Sequence, residues 1–174
     1  MNRIGIVVAR YNEVVVQGLL AGARRALEEA QVPETSLQIL EVPGSFEIPW
    51  GVAHLIETWR PDGVIALGAI IQGETDHHAY LAQAVFSALA QISIQHKIPI
   101  GLGIVTTANL SQALERAGGK MGNKGYEAAR AVLQCLRWST PRRDVWASDE
   151  RGAPSRSVVP RDGRVFVRLS GLMA

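Results

Sequence analysis

One cysteine, Cys135, stands in a chain of 174 residues. A single thiol excludes an intrachain disulfide framework and offers no cluster for zinc. In the run LQCLRW it reads as a packed thiol on an apolar helix face. No stretch approaches the roughly 20 apolar residues of a membrane-spanning helix. The apolar run in the opening MNRIGIVVARYN is too short for a secretory signal, so a cytoplasmic location is expected. No GxGxxG follows a first strand and no Walker loop occurs, which leaves ordinary dinucleotide and triphosphate sites unsupported. The four histidines form no HxxxH pair. Charge of one sign is scarce as well. Residues 1–136 hold 10 Lys/Arg against 12 Asp/Glu, a balance of −2 with no nucleic-acid footprint.

What the chain has is an ordinary globular composition, 47% hydrophobic at 20% charged. That suits one domain with a proper core. The basic excess is confined to residues 137–174, where 8 Arg face 4 Asp/Glu. The hydrophobic pattern alternates strand and helix. Arg3–Val8 predicts a buried strand, Glu13–Ala30 a helix and Leu37–Val42 a second strand. A helical pattern follows from Ser45 to Trp59, with Pro49 tolerated in its first turn. Gly63–Ile71 is a third strand, Thr75–His96 a long helix and Ile98–Val105 a fourth strand. Asn109–Ala117 predicts a short helix, Gly118–Gly125 a glycine-rich break and Tyr126–Trp138 a last helix. The βαβ order demands a parallel sheet covered on both faces. The expectation is a flavodoxin-like three-layer α/β/α sandwich on four parallel strands, with residues 1–138 as its one domain. The basic extension 139–174 reads as disordered, although Arg164–Leu169 alternates well enough for an edge strand.

The segment Gly63–His78, GVIALGAIIQGETDHH, concentrates the chemistry. Nine apolar residues suited to a fully buried strand break into polar residues and two adjacent histidines. Thr75 or Asp76 can cap the following helix, whose first N–H groups at Glu74–Thr75 would face an anion. Open α/β sheets bind ligands at such strand ends. Two further loops should converge there. Tyr11, followed by Asn12, offers an aromatic face for a flat heterocycle. Glu47 offers a carboxylate acceptor. Backbone groups of Ala69, Ile70 and Ile71 could meet a pyrimidine edge. Arg116 and Lys124 could neutralise a phosphate. Each also has a plain structural reading. Tyr11 can be packing, Glu47 a helix-start charge, and Arg116 and Lys124 solvated helix ends. His77 and His78, about 100° apart on a helix, can be surface or capping residues, and no further ligands gather around them for a metal.

The motifs RYNE, VPGSFEIP, GAIIQGETDHH, GIVTTANLSQALERAG and GNKG, in this order over residues 4–138, resemble the lumazine synthase family. The resemblance implies riboflavin biosynthesis without metal or organic cofactor. A transferase would condense 5-amino-6-(D-ribitylamino)uracil with 3,4-dihydroxy-2-butanone 4-phosphate. It implies that Tyr11 stacks on the pyrimidine and that Ser45, Phe46 and Glu47 hold the ribityl chain and ring. Ala69, Ile70 and Ile71 would read the pyrimidine edge, and Glu74 and Thr75 would hold the butanone phosphate. Arg116 would bind its phosphate, His77 would transfer protons, and Lys124 would lie near the site. The sequence departs from the family at Gln72, often basic in relatives, and at Leu102, often an aromatic that covers the ring. Family members form homopentamers with active sites between neighbours, so Leu102, Arg116 and Lys124 would come from an adjacent subunit. Some close twelve pentamers into an icosahedral shell, a 60-mer. No nucleic acid or membrane partner is expected. The alternatives are an archaeal-type riboflavin synthase and a non-catalytic flavin- or lumazine-binding shell protein.

Overall fold

Strand β1 (Ile4–Ala9) is IGIVVA and is buried along its whole length, as a central parallel strand requires. Its side chains alternate between two cores. Ile4, Ile6 and Val8 face one cluster while Val7 and Ala9 face the other, the period of two that a strand imposes. In the computed structural model, which describes residues 2–139, β1 joins β2 (Leu37–Val42), β3 (Gly63–Ile71) and β4 (Ile100–Thr107). All pairings are parallel and the strand order is β2-β1-β3-β4. Helices α1 (Glu13–Glu29) and α5 (Lys124–Ser139) cover the first core, and α2 (Ile48–Trp59) and α3 (His77–His96) the second. Strand order reverses direction after β2, and the connecting helices change face with it, as right-handed crossovers dictate. The fold is a flavodoxin-like α/β/α sandwich.

Several element bounds differ from expectation for local reasons. Strand β4 starts at Ile100 because Ile98 closes α3: its N–H donates to the Ser93 carbonyl at 3.2 Å, and Ser93 Oγ donates to the Ile98 carbonyl at 2.8 Å. The strand then runs on through polar Thr106 and Thr107, which pair with Ile70 and Ile71. Helix α3 starts at His77 rather than Thr75. The pattern from Ser45 opens with a short 3₁₀ turn, Ser45–Glu47, before α2, and Pro49 lies in the first turn. The glycine-rich break is an antiparallel hairpin of β5 (Ala117–Gly119) and β6 (Gly122–Asn123). Before it comes α4 (Leu110–Glu115), shorter than its sequence pattern.

Asn109 caps α4, accepting from the Gln112 N–H at 2.9 Å, and Gln112 returns an acceptor to the Ala108 N–H at 3.0 Å. Asn109→Ala is therefore expected to lower stability by about 1 kcal/mol, read as a drop in urea midpoint at fixed protein concentration. An unchanged midpoint would show that the cap contributes nothing. Met1–Ser139 form one compact unit. Among the described residues no helix is long and apolar enough to cross a membrane. The expected disorder of the extension and the edge strand Arg164–Leu169 lie outside the described residues.

Candidate active site

Pairing between β1 and β3 ends at Val8 and Leu67, whereas β3 stays paired to β4 through Ile71. The last four residues of β3 thus face a gap where strand order reverses, the position at which open α/β sheets hold ligands. The backbone sets what is on offer there. The Gln72 N–H donates to the Thr107 carbonyl at 2.9 Å. Strand alternation then directs the Ile70 groups to β4 as well, and those of Ala69 and Ile71 towards the gap. The Ala69 carbonyl accepts from Asn12 Nδ2 at 3.0 Å, which leaves the Ile71 backbone as the more open of the two.

Asn12 achieves this reach from a left-handed backbone, φ 60° and ψ 48°, a region asparagine enters more readily than most residues. Just before it, the N–H groups of Arg10 and Tyr11 donate to Val42 and Pro43 carbonyls at 2.9 and 3.2 Å. These bonds hold the first loop beside the Pro43–Gly44 turn and leave the Tyr11 ring 73% exposed. In the second loop the Gly44 N–H donates to Glu47 Oε2 at 2.9 Å. One carboxylate oxygen is thereby fixed, and the half-buried group retains acceptor capacity on the other. Ser45 is buried beneath this turn and Phe46 is exposed beside it.

The third loop ends at α3. The His78 ring turns back onto the Thr75 carbonyl, with Nδ1 at 3.3 Å. The His77 ring is exposed and has no hydrogen-bond partner among the described residues. Its backbone N–H makes only a long contact, 3.5 Å, with Thr75 Oγ1. Asp76 stands at the N-cap without a side-chain cap bond. The Ala79 N–H donates to the Asp76 carbonyl at 3.0 Å, which leaves the His78 N–H, and the weakly held His77 N–H, for an acceptor.

These loops enclose one crevice of about 650 Å³. Tyr11, Ser45, Phe46, Glu47, Ala69, Ile70, Ile71, Thr75 and His77 all line it, as does Gln72. Four expected site residues do not. Glu74 is exposed in the adjoining loop. Leu102 lines a separate groove of about 300 Å³ with Phe86, Ile94 and Ile100. Arg116 is the exposed C-cap of α4, and Lys124 opens α5 with its ammonium 3.0 Å from Glu127. Sequence reasoning assigned no role to Asn12, Gly44, Leu81 or Leu110, which also line the crevice. Leu81 was legible in principle, since it lies four residues after His77 on the same helix face.

The described lining residues include no lysine or arginine. A carboxylate, two imidazoles and open backbone groups can orient a polar heterocycle and move protons. They supply no fixed cation for a phosphate ester. Among the described residues no three His, Cys, Asp or Glu side chains are grouped to hold a metal ion.

The profile of the family described as 6,7-dimethyl-8-ribityllumazine synthase matches residues 1–139. A Levilactobacillus brevis protein of that name is 52% identical over 134 residues, covering 77% of this chain and 85% of its own. Relatives of the same name from Halorhodospira halophila and Lactiplantibacillus plantarum are 44% and 46% identical over 134 residues. Each alignment covers 77% of this chain, with 86% and 84% of the respective relative.

Proposed function

This chain belongs to the 6,7-dimethyl-8-ribityllumazine synthase family, and we propose that it acts in riboflavin biosynthesis as a transferase. It condenses 5-amino-6-(D-ribitylamino)uracil with 3,4-dihydroxy-2-butanone 4-phosphate to give 6,7-dimethyl-8-ribityllumazine, phosphate and water. The observation that carries the reading is the gathering of Tyr11, Glu47, the open β3 backbone and His77 around one crevice at the sheet's reversal point.

In this reading the pyrimidine lies against Tyr11, and Ser45, Phe46 and Glu47 hold the ribityl chain and ring. Its edge meets the backbone of Ala69 and Ile71 rather than that of Ile70, which is turned to β4. The 5-amino group attacks the ketone, and loss of water leaves an imine. Loss of the proton on the neighbouring hydroxyl-bearing carbon expels phosphate with its bonding electrons and leaves an enol. The ketone this enol becomes is attacked by the second amine, which closes the ring with loss of another water. His77 carries protons between these steps, a task an imidazole performs near neutral pH. Glu74, Thr75 and the first amides of α3 receive the phosphate together with Arg116, and Lys124 lies close by. Both substrates are intrinsically reactive, so much of the acceleration is positional.

His77→Ala is accordingly expected to lower kcat by about tenfold, short of the usual range for a general acid–base residue. Stopped-flow absorbance of the lumazine reads this directly, and an unchanged kcat would remove His77 from proton transfer. The whole assignment is tested by mixing both substrates with the protein and following the lumazine chromophore. Lumazine supplied alone should yield no riboflavin. The opposite pair of results would favour a riboflavin synthase, a reading to which the relatives' names lend no support.

We further propose that the active unit is a cytoplasmic homopentamer, built from residues 1–138, in which Leu102, Arg116 and Lys124 complete a neighbour's crevice. The apolar groove between α3 and β4, with Ile94 78% exposed, is surface that a lone chain would leave in water. Light scattering distinguishes a pentamer from the 60-mer shell. A chain ending at residue 138 should retain full turnover, and its loss would give the basic extension a part in the reaction.

A further inference from the structure

The base of the β5–β6 hairpin is tied to α1 by one side chain. Asn123 Nδ2 donates to the Gly18 carbonyl at 2.8 Å, and Asn123 Oδ1 accepts from the Tyr126 N–H at 3.0 Å. The partners fix the amide's orientation, because a carbonyl needs the NH₂ and an N–H needs the oxygen. The amide lies over Gly22, one turn on from Gly18, where a Cβ would overlap it. At the same point the Lys124 N–H donates to the Arg116 carbonyl at 2.8 Å. The backbones of both cation-bearing residues are thus linked to Asn123, which adds a directed hydrogen bond to the close packing of Ala117 on Gly18 and of Gly125 on Leu19. Arg116 itself has no side-chain partner among the described residues.

We propose that Asn123 is a positioning residue for the phosphate substrate: its amide, seated on Gly18 and Gly22, sets where Arg116 presents its guanidinium. The proposal rests on the reading of Arg116 as the phosphate-binding cation. Asn123 also caps α5, and the two roles separate chemically. Aspartate caps a helix as well as asparagine does, yet it cannot donate to the Gly18 carbonyl. Asn123→Asp therefore keeps the cap and releases the clamp. Gly22→Ala displaces the whole amide, clamp and cap together, because its Cβ would overlap Asn123 Oδ1 as well as Nδ2, while the exchange itself favours the helix.

The expected result for either variant is a rise of about fivefold in KM for the butanone phosphate, the scale of one lost hydrogen bond. The KM for the uracil substrate and kcat should change by less than about twofold. In an Arg116→Ala background Asn123→Asp should add nothing, since neighbours acting through one group are non-additive. If Arg116→Ala raises the phosphate KM and Asn123→Asp does not, the clamp is overturned and the role of Arg116 stands. A full additional effect of Asn123→Asp on top of Arg116→Ala, or an equal rise in both KM values, also overturns it. Should Arg116→Ala itself leave the phosphate KM unchanged, the underlying reading fails and the proposal fails with it.

Discussion

Replacing Arg116 with alanine is expected to raise the KM for 3,4-dihydroxy-2-butanone 4-phosphate by roughly 10- to 150-fold, with the KM for the uracil substrate nearly unchanged. The magnitude follows from losing a hydrogen bond to a charged group, about 1.5–3 kcal/mol. The selectivity follows from where charge is needed. In the proposed binding mode the pyrimidine meets strand backbone, Tyr11 and Glu47, all of which line the crevice and none of which depends on a cation. The phosphate ester instead meets a described lining without lysine or arginine, and Gln72 lines the crevice where relatives often carry a basic residue. With Gln72 neutral, only helix amides, a histidine and the nearby Lys124, already paired with Glu127 at 3.0 Å, remain if Arg116 is lost. Arg116→Lys should recover only part of the affinity, because an ammonium restores the charge without the two-pronged geometry of a guanidinium. Steady-state kinetics with one substrate varied at a time reads both constants. A rise in the uracil KM alone would contradict the phosphate role.

The parts of this structure that local pattern dictates were open to sequence reasoning. Gly63–Ile71 occupies its expected bounds because a continuous apolar run between turn residues has few other ways to be buried, and Leu37–Val42 does so although Gln38 and Glu41 interrupt its apolar residues. The crevice was legible for a related reason: parallel topology alone brings the three strand ends, and hence Tyr11, Glu47 and His77, to one edge. What escaped depends on contacts distant in sequence. Thr106 and Thr107 read as loop, yet they extend β4 because β3 offers them partners. Asn12 reads only as a loop residue after Tyr11, but its amide crosses to Ala69, 57 residues away. The hairpin at 117–123 reads as a glycine-rich break. Its docking on α1 depends on Gly18 and Gly22, which a helical pattern registers only as weak positions. Composition cannot reveal that a bare helix face is a seat.

The same reasoning makes assembly the most demanding test. Ile94→Asp is expected to leave the protomer folded, since that side chain is 78% exposed and belongs to neither core cluster. It is also expected to break the oligomer, because a carboxylate buried against a neighbour's apolar surface without a partner costs several kcal/mol per contact. Turnover should then fall by at least about 100-fold, the scale set by losing a charge that stabilises a departing anion. Loss of Leu102 from over the ring would add to this. Far-UV circular dichroism should match the parent, and light scattering should report a single chain. Two results would count against a shared site, and they differ in meaning. A folded, monomeric and fully active variant would make the crevice complete within one chain and leave its phosphate without a lysine or arginine. A variant that still assembles would place the contact away from the α3–β4 groove, and Leu102 would then have no neighbour's ring to cover.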